Sequence, residues 1–309
     1  DVGADASRVR QIDGATALYL AAQANHVPVV ELLLERGRAD PSAPGGPCRS
    51  TPLIVAAERG HVASVRTLLT AGANPNAADA TGWTAAHAAC QGGHVAALNA
   101  LLSARADPNA RAAPDGCTPA LIAAQQNHAG CLDALAARGA DLDAPYLTGH
   151  QSTPFIMSAH NDAADAARAL AARGADVRRT NAYGATSVAV AAALGHADVL
   201  QVLLRVDPRG AQTVDQNGAA PLHVAAARGR TSSVAALLRA GAPADATWRG
   251  LTPIDIARRN GHGHVVRLLA TRAIDAGVSA NEVTPDDAPR HLRSPMPSPC
   301  AAGNALPPS

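Results

Sequence analysis

The sequence is dominated by one unit that recurs along most of its length. Successive copies begin 35, 33, 34, 35, 33, 34 and 32 residues apart. A nearly constant period in this range is typical of a solenoid, in which each unit buries its apolar face against the neighbouring copies. The period therefore argues against one central core and predicts a stack of about eight units. Their first residues are Thr16, Thr51, Thr84, Thr118, Thr153, Thr186, Ala220 and Thr252.

One copy, Thr51–Ala77, shows what each unit should fold into. Thr51 can cap a helix and Pro52 suits the first helical position, where its missing N–H costs nothing. Gly60 and Gly72 can adopt the left-handed conformation that ends a helix, so the copy predicts two short helices. Isolated helices this short are marginal in water, which again requires stacking. Their apolar faces are Leu53, Ala56 and Ala57, then Val62, Val65, Leu68 and Leu69.

Several motifs connect the copies to a known family. Residues 220–226 read APLHVAA, Gly-His pairs recur at Gly60-His61, Gly93-His94, Gly195-His196 and Gly261-His262, and Gly-Ala-Asp recurs at 139–141 and 174–176. With these motifs the chain resembles the ankyrin repeats over about residues 11–273. The resemblance implies an all-α solenoid of about eight helix-turn-helix units joined by β-hairpin-like loops. The implied units are about 11–43, 46–77, 79–110, 113–145, 148–180, 181–214, 215–246 and 247–273.

The two ends of the chain depart from the repeat pattern. Gly3-Ala4-Asp5 resembles the end of a repeat, so residues 1–10 are interpreted as the remnant of a truncated upstream unit. Residues 274–309 are rich in Pro and Ser and are predicted to be a disordered tail, because such a composition buries too little apolar surface. Three dipeptides in this tail are candidates for proline-directed phosphorylation: Thr284-Pro285, Ser294-Pro295 and Ser298-Pro299.

Composition narrows the possible functions. The net charge is +1, from 26 basic and 25 acidic residues, which disfavours a protein that neutralises nucleic-acid phosphates. The cysteine number is odd, at five, and neither a secretory signal nor a long apolar run is present, so the cytosol or nucleus is the expected compartment. No nucleophile elbow, phosphate loop or dinucleotide-binding motif occurs, so we predict no enzyme, no cofactor and no small-molecule substrate.

The histidines and cysteines have structural explanations. Most of the 12 histidines stand at the Gly-His turn or the T-P-L-H position, where the resemblance implies hydrogen bonds to main-chain groups that join neighbouring turns. The spacing His262-x-His264 lacks the further ligands of a metal site, so no metal is predicted. Cys90 and Cys131 occupy apolar helical positions and are expected to be buried small hydrophobic residues.

The resemblance also implies where a partner would bind. In the ankyrin repeats, partners contact the hairpin tips and the exposed ends of the first helices, which line a concave face. Aromatic residues make up only 2% of the chain, yet three fall at hairpins, where each ring either contacts a partner or covers the neighbouring hairpin. The predicted partner-binding residues are Trp83, Gln91, Gln125, Gln126, His160, Tyr183, Arg228, Trp248, Arg249 and Arg259.

Three functional hypotheses remain open from the sequence. The first is a non-catalytic protein-interaction module that binds a partner protein on the concave face. The second is the substrate-recognition region of a larger catalytic protein, such as a ligase adaptor or a kinase, whose effector domain lies outside this chain. The third and weakest is nucleic-acid binding through the arginines between Arg249 and Arg272.

Overall fold

The computed structural model describes residues 14–45 and 47–275, and this part folds as sixteen α-helices without a β-strand. The first helices of the units are α1 (Ala17–Gln23), α3 (Pro52–Glu58), α5 (Ala85–Gln91), α7 (Pro119–Gln125), α9 (Pro154–His160), α11 (Ser187–Leu194), α13 (Pro221–Ala227) and α15 (Pro253–Arg259). The second helices are α2 (Val27–Glu35), α4 (Val62–Thr70), α6 (Val95–Ser103), α8 (Ala129–Ala136), α10 (Ala164–Ala172), α12 (Ala197–Val206), α14 (Thr231–Arg239) and α16 (Gly263–Asp275). Short 3₁₀ helices span Pro47–Arg49 and Pro208–Gln212.

These elements confirm the predicted all-α array of paired helices. The upstream remnant at residues 1–10 and the three Thr-Pro or Ser-Pro dipeptides lie outside the described residues, as does nearly all of the predicted tail. None of the helices in the described ranges combines the length and the apolar composition needed to cross a membrane.

The first helices begin where the threonine pattern predicts. Thr51 Oγ1 accepts a hydrogen bond from the main-chain N–H of Ile54 at 3.3 Å, which satisfies one of the amides left unpaired at the start of a helix. Ala220 has no hydroxyl, and in its unit the Nδ1 of His223 accepts the Ala220 N–H at 3.2 Å instead. The two side chains therefore satisfy different amides at the start of the helix, that of Ile54 and that of Ala220 itself.

The first helices end at a left-handed residue nine positions after each start. Glycine occupies this position in five of the eight units, including Gly60 at φ 69°. Asn25, Asn127 and Asp162 occupy it in the other three, with φ of 55°, 59° and 54°. Asn and Asp tolerate this conformation better than other non-glycine residues, so the turn survives where glycine is missing.

The helices stack in two layers. Each first helix packs on the first helices of adjacent units, from α1 on α3 to α13 on α15, and the second helices pack in the same order from α2 to α16. A fully buried leucine at the same position of successive second helices fills the space between the layers. Its copies are Leu68, Leu101, Leu135, Leu170, Leu203 and Leu237.

Adjacent units are joined by imidazole-to-carbonyl hydrogen bonds, as the resemblance implied. His94 Nε2 lies 2.9 Å from the main-chain oxygen of Glu58, at the end of the preceding first helix. Equivalent contacts join His61 to Gln23, His128 to Gln91, His196 to Ala159 and His262 to Ala227. The sixth and seventh units are joined instead by Arg230 Nε, which donates to Ala193 O at 3.4 Å.

The junction between the fourth and fifth units lacks both kinds of bond. Ala163 stands where the histidine would be, so no imidazole reaches back to the fourth unit. Asn127 makes the connection on the side of the second helices: its Oδ1 accepts the N–H of Ala166 at 2.9 Å, and its Nδ2 donates to Asp165 Oδ2 at 3.4 Å.

We predict that alanine lowers stability by different amounts at two glycines of the second unit, because only one of them lies against an imidazole. Gly60 and Gly72 have φ of 69° and 91°, so alanine is strained at both. A Cβ on Gly60 would also lie 2.5 Å from His94 Nδ1, whereas a Cβ on Gly72 would meet nothing within 4 Å. We expect Gly60→Ala to lower the free energy of unfolding by about 2 kcal/mol and Gly72→Ala by about 1 kcal/mol. Urea titrations followed by circular dichroism measure both, and equal losses would contradict a steric role of His94.

Candidate partner-binding surface

The loops between units are hairpins organised by one carboxylate or carboxamide. In the third unit, Asp79 Oδ1 accepts the N–H groups of Thr81 and Trp83 at 2.8 and 3.0 Å. Asn181 and Asp215 do the same in the sixth and seventh units. The residue just before the hairpin glycine occupies the tip of each loop.

Neighbouring hairpins are hydrogen-bonded to one another, so the tips form a continuous edge. The main-chain bonds are Ala80 N to Cys48 O (2.9 Å), Ala113 N to Thr81 O (2.7 Å), Leu147 N to Asp115 O (2.7 Å), Ala182 N to His150 O (2.9 Å) and Gln216 N to Tyr183 O (3.4 Å). At the last junction a side chain replaces the main chain: the indole Nε1 of Trp248 donates to Asn217 O at 2.8 Å.

Two of the three hairpin aromatics prove to be buried. Trp83 is 7% exposed and stacks on the His87 ring at 5.0 Å, and Trp248 is 4% exposed and packs against Ala219 and Ile256. The sequence left open whether each ring contacts a partner or covers the neighbouring hairpin, and these two rings cover the hairpin. The inclusion of Trp83 and Trp248 as exposed contact residues is therefore corrected: a ring that fills the space under a hairpin is hidden from a partner.

Tyr183 is the hairpin aromatic that is available at the surface. It is 54% exposed, and its ring lies 4.9 Å from that of His150. Arg249 occupies the same tip position in the eighth unit, where it is exposed and its guanidinium carbon lies 5.1 Å from the centre of the Trp248 ring. Such a contact between a cation and a ring is typically worth about 0.5–1 kcal/mol at an exposed site, and it orients Arg249 along the edge.

The remaining predicted residues lie at the ends of the first helices. Gln91, Gln125, His160 and Arg259 occupy one equivalent position in their units, and Gln126 and Arg228 occupy the next. Gln126 is exposed and the others are partly buried. The six therefore form one row along the ends of the first helices, and we treat this row together with the hairpin tips as the candidate surface.

Burial lowers the pKa of two residues in this row. Burial lowers the pKa of the His160 imidazole, and the nearby His196 and His150 lower it further. Burial also lowers the pKa of Arg228, with Arg230 adding repulsion between like charges. Arg228 nevertheless keeps its charge at physiological pH, because a guanidinium titrates far above that range.

His150 is a surface residue that the sequence analysis did not assign. It stands in the hairpin of the fifth unit, at the tip position that Tyr183 and Arg249 hold in their units, and it is partly buried there. The tip residues could have been found from the sequence, because each of them stands three residues before the starting residue of its unit. The irregular Gln151, at φ 50° in the usual glycine position, obscured it.

The expected buried roles of several other residues are confirmed. Cys90 and Cys131 are both fully buried, and burial raises the pKa of the Cys90 thiol. His87 is also fully buried: Nδ1 accepts the Thr84 N–H at 3.2 Å, and Nε2 lies 3.0 Å from the main-chain oxygen of Cys117. Within residues 14–45 and 47–275, no group of three or more His, Cys, Asp or Glu side chains is arranged to hold a metal ion.

Comparison with known proteins identifies the array. The family description "Ankyrin repeats (3 copies)" matches residues 2–79, 72–146 and 190–280. The crystal structure of the human ASB11 ankyrin repeat domain is similar, with a TM-score of 0.64 and 24% identity over 74% of this chain and 99% of that chain. The ankyrin repeat domain of Bcl-3, described as a unique member of the IkappaB protein family, gives a TM-score of 0.62 and 29% identity over the same shares. No curated protein matches the sequence significantly. Three family matches that together span most of the sequence show that the chain belongs to the ankyrin repeat family.

Proposed function

We propose that this chain is a non-catalytic protein-interaction module that binds a partner protein along the hairpin edge and the adjoining ends of the first helices. Ankyrin repeats generally bind protein partners, which gives the class of function. The observation that supports this particular surface is that the side chains that hold the hairpins differ from the side chains that are exposed at their tips. Residues that hold the hairpins, such as Asp79 and Trp248, use their side chains for the hydrogen bonds of the loops, whereas the side chains of Tyr183 and Arg249 are exposed at the tips.

The proposed contact surface comprises the exposed or partly buried members of the two rows. Tyrosine and arginine are enriched among residues that dominate binding energy at interfaces. Trp83 and Trp248 support the surface from beneath. The predicted cytosolic or nuclear location is part of the same proposal. The contact residues are Gln91, Gln125, Gln126, His160, Tyr183, Arg228, Arg249 and Arg259.

Affinity capture with matched surface variants tests this proposal. The double variant Tyr183→Ser/Arg249→Ser removes one exposed aromatic and one exposed arginine from the hairpin edge. The control Leu32→Ser/Arg66→Ser removes an exposed apolar residue and an exposed arginine from the second helices α2 and α4. We expect the edge variant to recover partner proteins roughly tenfold less efficiently, which corresponds to about 1.4 kcal/mol.

The control should recover partners as wild type does, as measured by quantitative mass spectrometry on samples with equal circular dichroism. Partner recovery that falls with the control and not with the edge variant would place binding on the second helices and contradict the proposal.

A further inference from the structure

The layer of second helices contains a groove that the proposed function does not use. Helices α12 and α14 pack side by side in the sixth and seventh units, and an open groove of about 270 Å³ lies between them. Three apolar residues that line it are buried or partly buried, and three polar residues are exposed. We call this site the arginine groove. Its residues are Leu204, Ala236 and Ala240, then Gln201, Arg205 and Arg239.

The two arginines of the arginine groove have no carboxylate partner among the described residues. Arg205 makes no hydrogen bond or ion pair there, and Arg239 donates to the main-chain oxygen of Ala235 at 3.3 Å. Asp207 is the carboxylate closest to Arg205 in sequence, but Arg178 already binds it through two hydrogen bonds of 2.7 and 3.2 Å. Helix α14 contains no acidic residue. Two neighbouring guanidinium groups without a counter-charge favour an anionic ligand.

An equivalent groove near the start of the array has different charges. Helices α4 and α6 form it at the same place in the second and third units, with a volume of about 700 Å³. Thr70 and Ser103 stand there at the positions of Arg205 and Arg239, and the lining contains one arginine, Arg66. The stacking of second helices therefore does not require the arginine pair, which occurs close to the C-terminal end of the array.

The chain contains a segment of the opposite charge just after the array. Residues 276–289 include three carboxylates, Glu282, Asp286 and Asp287, and no lysine or arginine. Large apolar side chains are scarce in this stretch, so ionic contacts rather than apolar burial would have to hold it against the helices. Its charge is complementary to that of the arginine groove.

The connection between the array and this segment is long enough to reach the arginine groove. Helix α14 packs against both α12 and α16, and Arg205 and Arg239 lie in the last turns of their helices. Packed helices are about 8–10 Å apart, so the groove is roughly 15 Å from the axis of α16. Asp286 follows the last residue of α16, Asp275, by 11 positions. An extended chain of that length spans up to about 36 Å.

We propose that residues 282–287 bind in the arginine groove of the same chain, with their carboxylates paired with Arg205 and Arg239. The planar guanidinium group suits this role because it binds a carboxylate through two parallel hydrogen bonds. The segment is tethered, so its effective concentration at the groove is on the order of 1 mM, and an intrinsic Kd of about 1 mM gives half occupancy. This contact goes beyond the proposed function, since it lies on the second helices and needs no partner protein. A bound segment would exclude acidic segments of other proteins from the groove.

Electron-spin distance measurements on the full chain test the proposal. One spin label is placed at Ser232→Cys, an exposed position of α14, and one at Ala288→Cys, in a chain with Cys48→Ser and Cys300→Ser. The three remaining cysteines are buried and stay unlabelled. At low ionic strength we expect a narrow component at short distance. It should be lost in about 1 M salt, where charges are screened beyond about 3 Å.

Matched charge variants locate the contact. Arg205→Gln/Arg239→Gln should remove the narrow component. The control Arg36→Gln/Arg66→Gln removes two exposed arginines from the same layer near the start of the array and should keep it. Asp286→Arg/Asp287→Arg should also remove the component, and combining it with Arg205→Asp/Arg239→Asp should restore it. All variants are compared at equal circular dichroism.

Four results would overturn the proposal. The first is a broad distance distribution in the labelled parent chain at low ionic strength. The second is a narrow component that survives Arg205→Gln/Arg239→Gln, because the segment is then bound elsewhere. The third is a combined charge exchange that fails to restore the component. The fourth is loss of the component when labelled protein is diluted with unlabelled protein, because the contact then joins two copies. Each of these results leaves the proposal for the hairpin edge standing.

Discussion

Replacement of Trp248 by alanine is expected to unfold the last unit at a cost of about 3–5 kcal/mol, the usual range for truncating a large buried aromatic. The ring is 4% exposed, packs with Ala219 and Ile256, and supplies the hydrogen bond to Asn217 O that joins the last two hairpins. Because the eighth unit has only one described neighbour, its loss should remain local. Hydrogen exchange should show α15 and α16 unprotected while the amides of α5 to α12 keep their protection.

Phenylalanine variants of Trp248 and Trp83 separate the contribution of the ring to stability from that of the indole N–H group. Trp248→Phe keeps most of the apolar ring but leaves Asn217 O without its donor, so we expect a loss of about 1–2 kcal/mol. Trp83 is the matched control, since its indole nitrogen makes no hydrogen bond to any residue in the described ranges and its ring stacks on His87. Equal losses for Trp83→Phe and Trp248→Phe would show that the indole bond adds nothing to the stability of the junction.

Acidification should destabilise the array through His87. Burial lowers the pKa of this imidazole from 6.5 to about 4, so between these values the unfolded chain binds a proton that the folded chain excludes. The contribution of His87 is fully present above pH 6.5 and is lost as the pH falls from 6.5 towards 4. The shift corresponds to a loss of about 3 kcal/mol once the pH is below both values. Urea titrations at constant ionic strength, at about pH 7.5 and about pH 4.5, measure most of it.

The variant His87→Gln isolates this contribution. An amide can replace both hydrogen bonds of the imidazole but does not titrate, so the variant should be less stable than wild type at neutral pH and lose about 2 kcal/mol less on acidification. His223, whose pKa is also lowered by burial, remains in the variant and accounts for part of the residual pH dependence. An unchanged pH dependence in His87→Gln would mean that other groups, such as carboxylates, dominate the acid transition.

The scaffold was predictable because its chemistry is local and repeated. Thr51, Gly60 and His61 each perform one task, and eight copies of the unit allow that task to be recognised even where a copy departs from the pattern. Asn127 and Asp162 at the glycine position illustrate this, since both adopt the left-handed conformation expected of them. The bond from His94 to the carbonyl of Glu58 followed from the family resemblance in the same way.

The exposure of individual rings was not predictable from position in the unit alone. Trp83 stands one residue before the starting residue of its unit, Tyr183 stands three residues before it, and Trp248 stands four residues before it. Alternate residues of a hairpin point to opposite faces, but the direction of each ring also depends on the width of each loop and on the neighbouring hairpin. Trp248 fills the place of a main-chain donor, which a motif based on residue type cannot show.

The missing imidazole at Ala163 bears on the mechanics of the whole array. At the other junctions the end of the first helix accepts a side-chain hydrogen bond from the next unit, whereas the fourth and fifth units are joined by Asn127 beside the second helices. A stack of units bends most easily at the junction where one of the repeated connections is missing. Thermal bending should therefore concentrate at this junction, with Gln91 and Gln125 on one arm and Tyr183 and Arg249 on the other. The distance between the two arms of the array would then adjust to the length of a partner that contacts both.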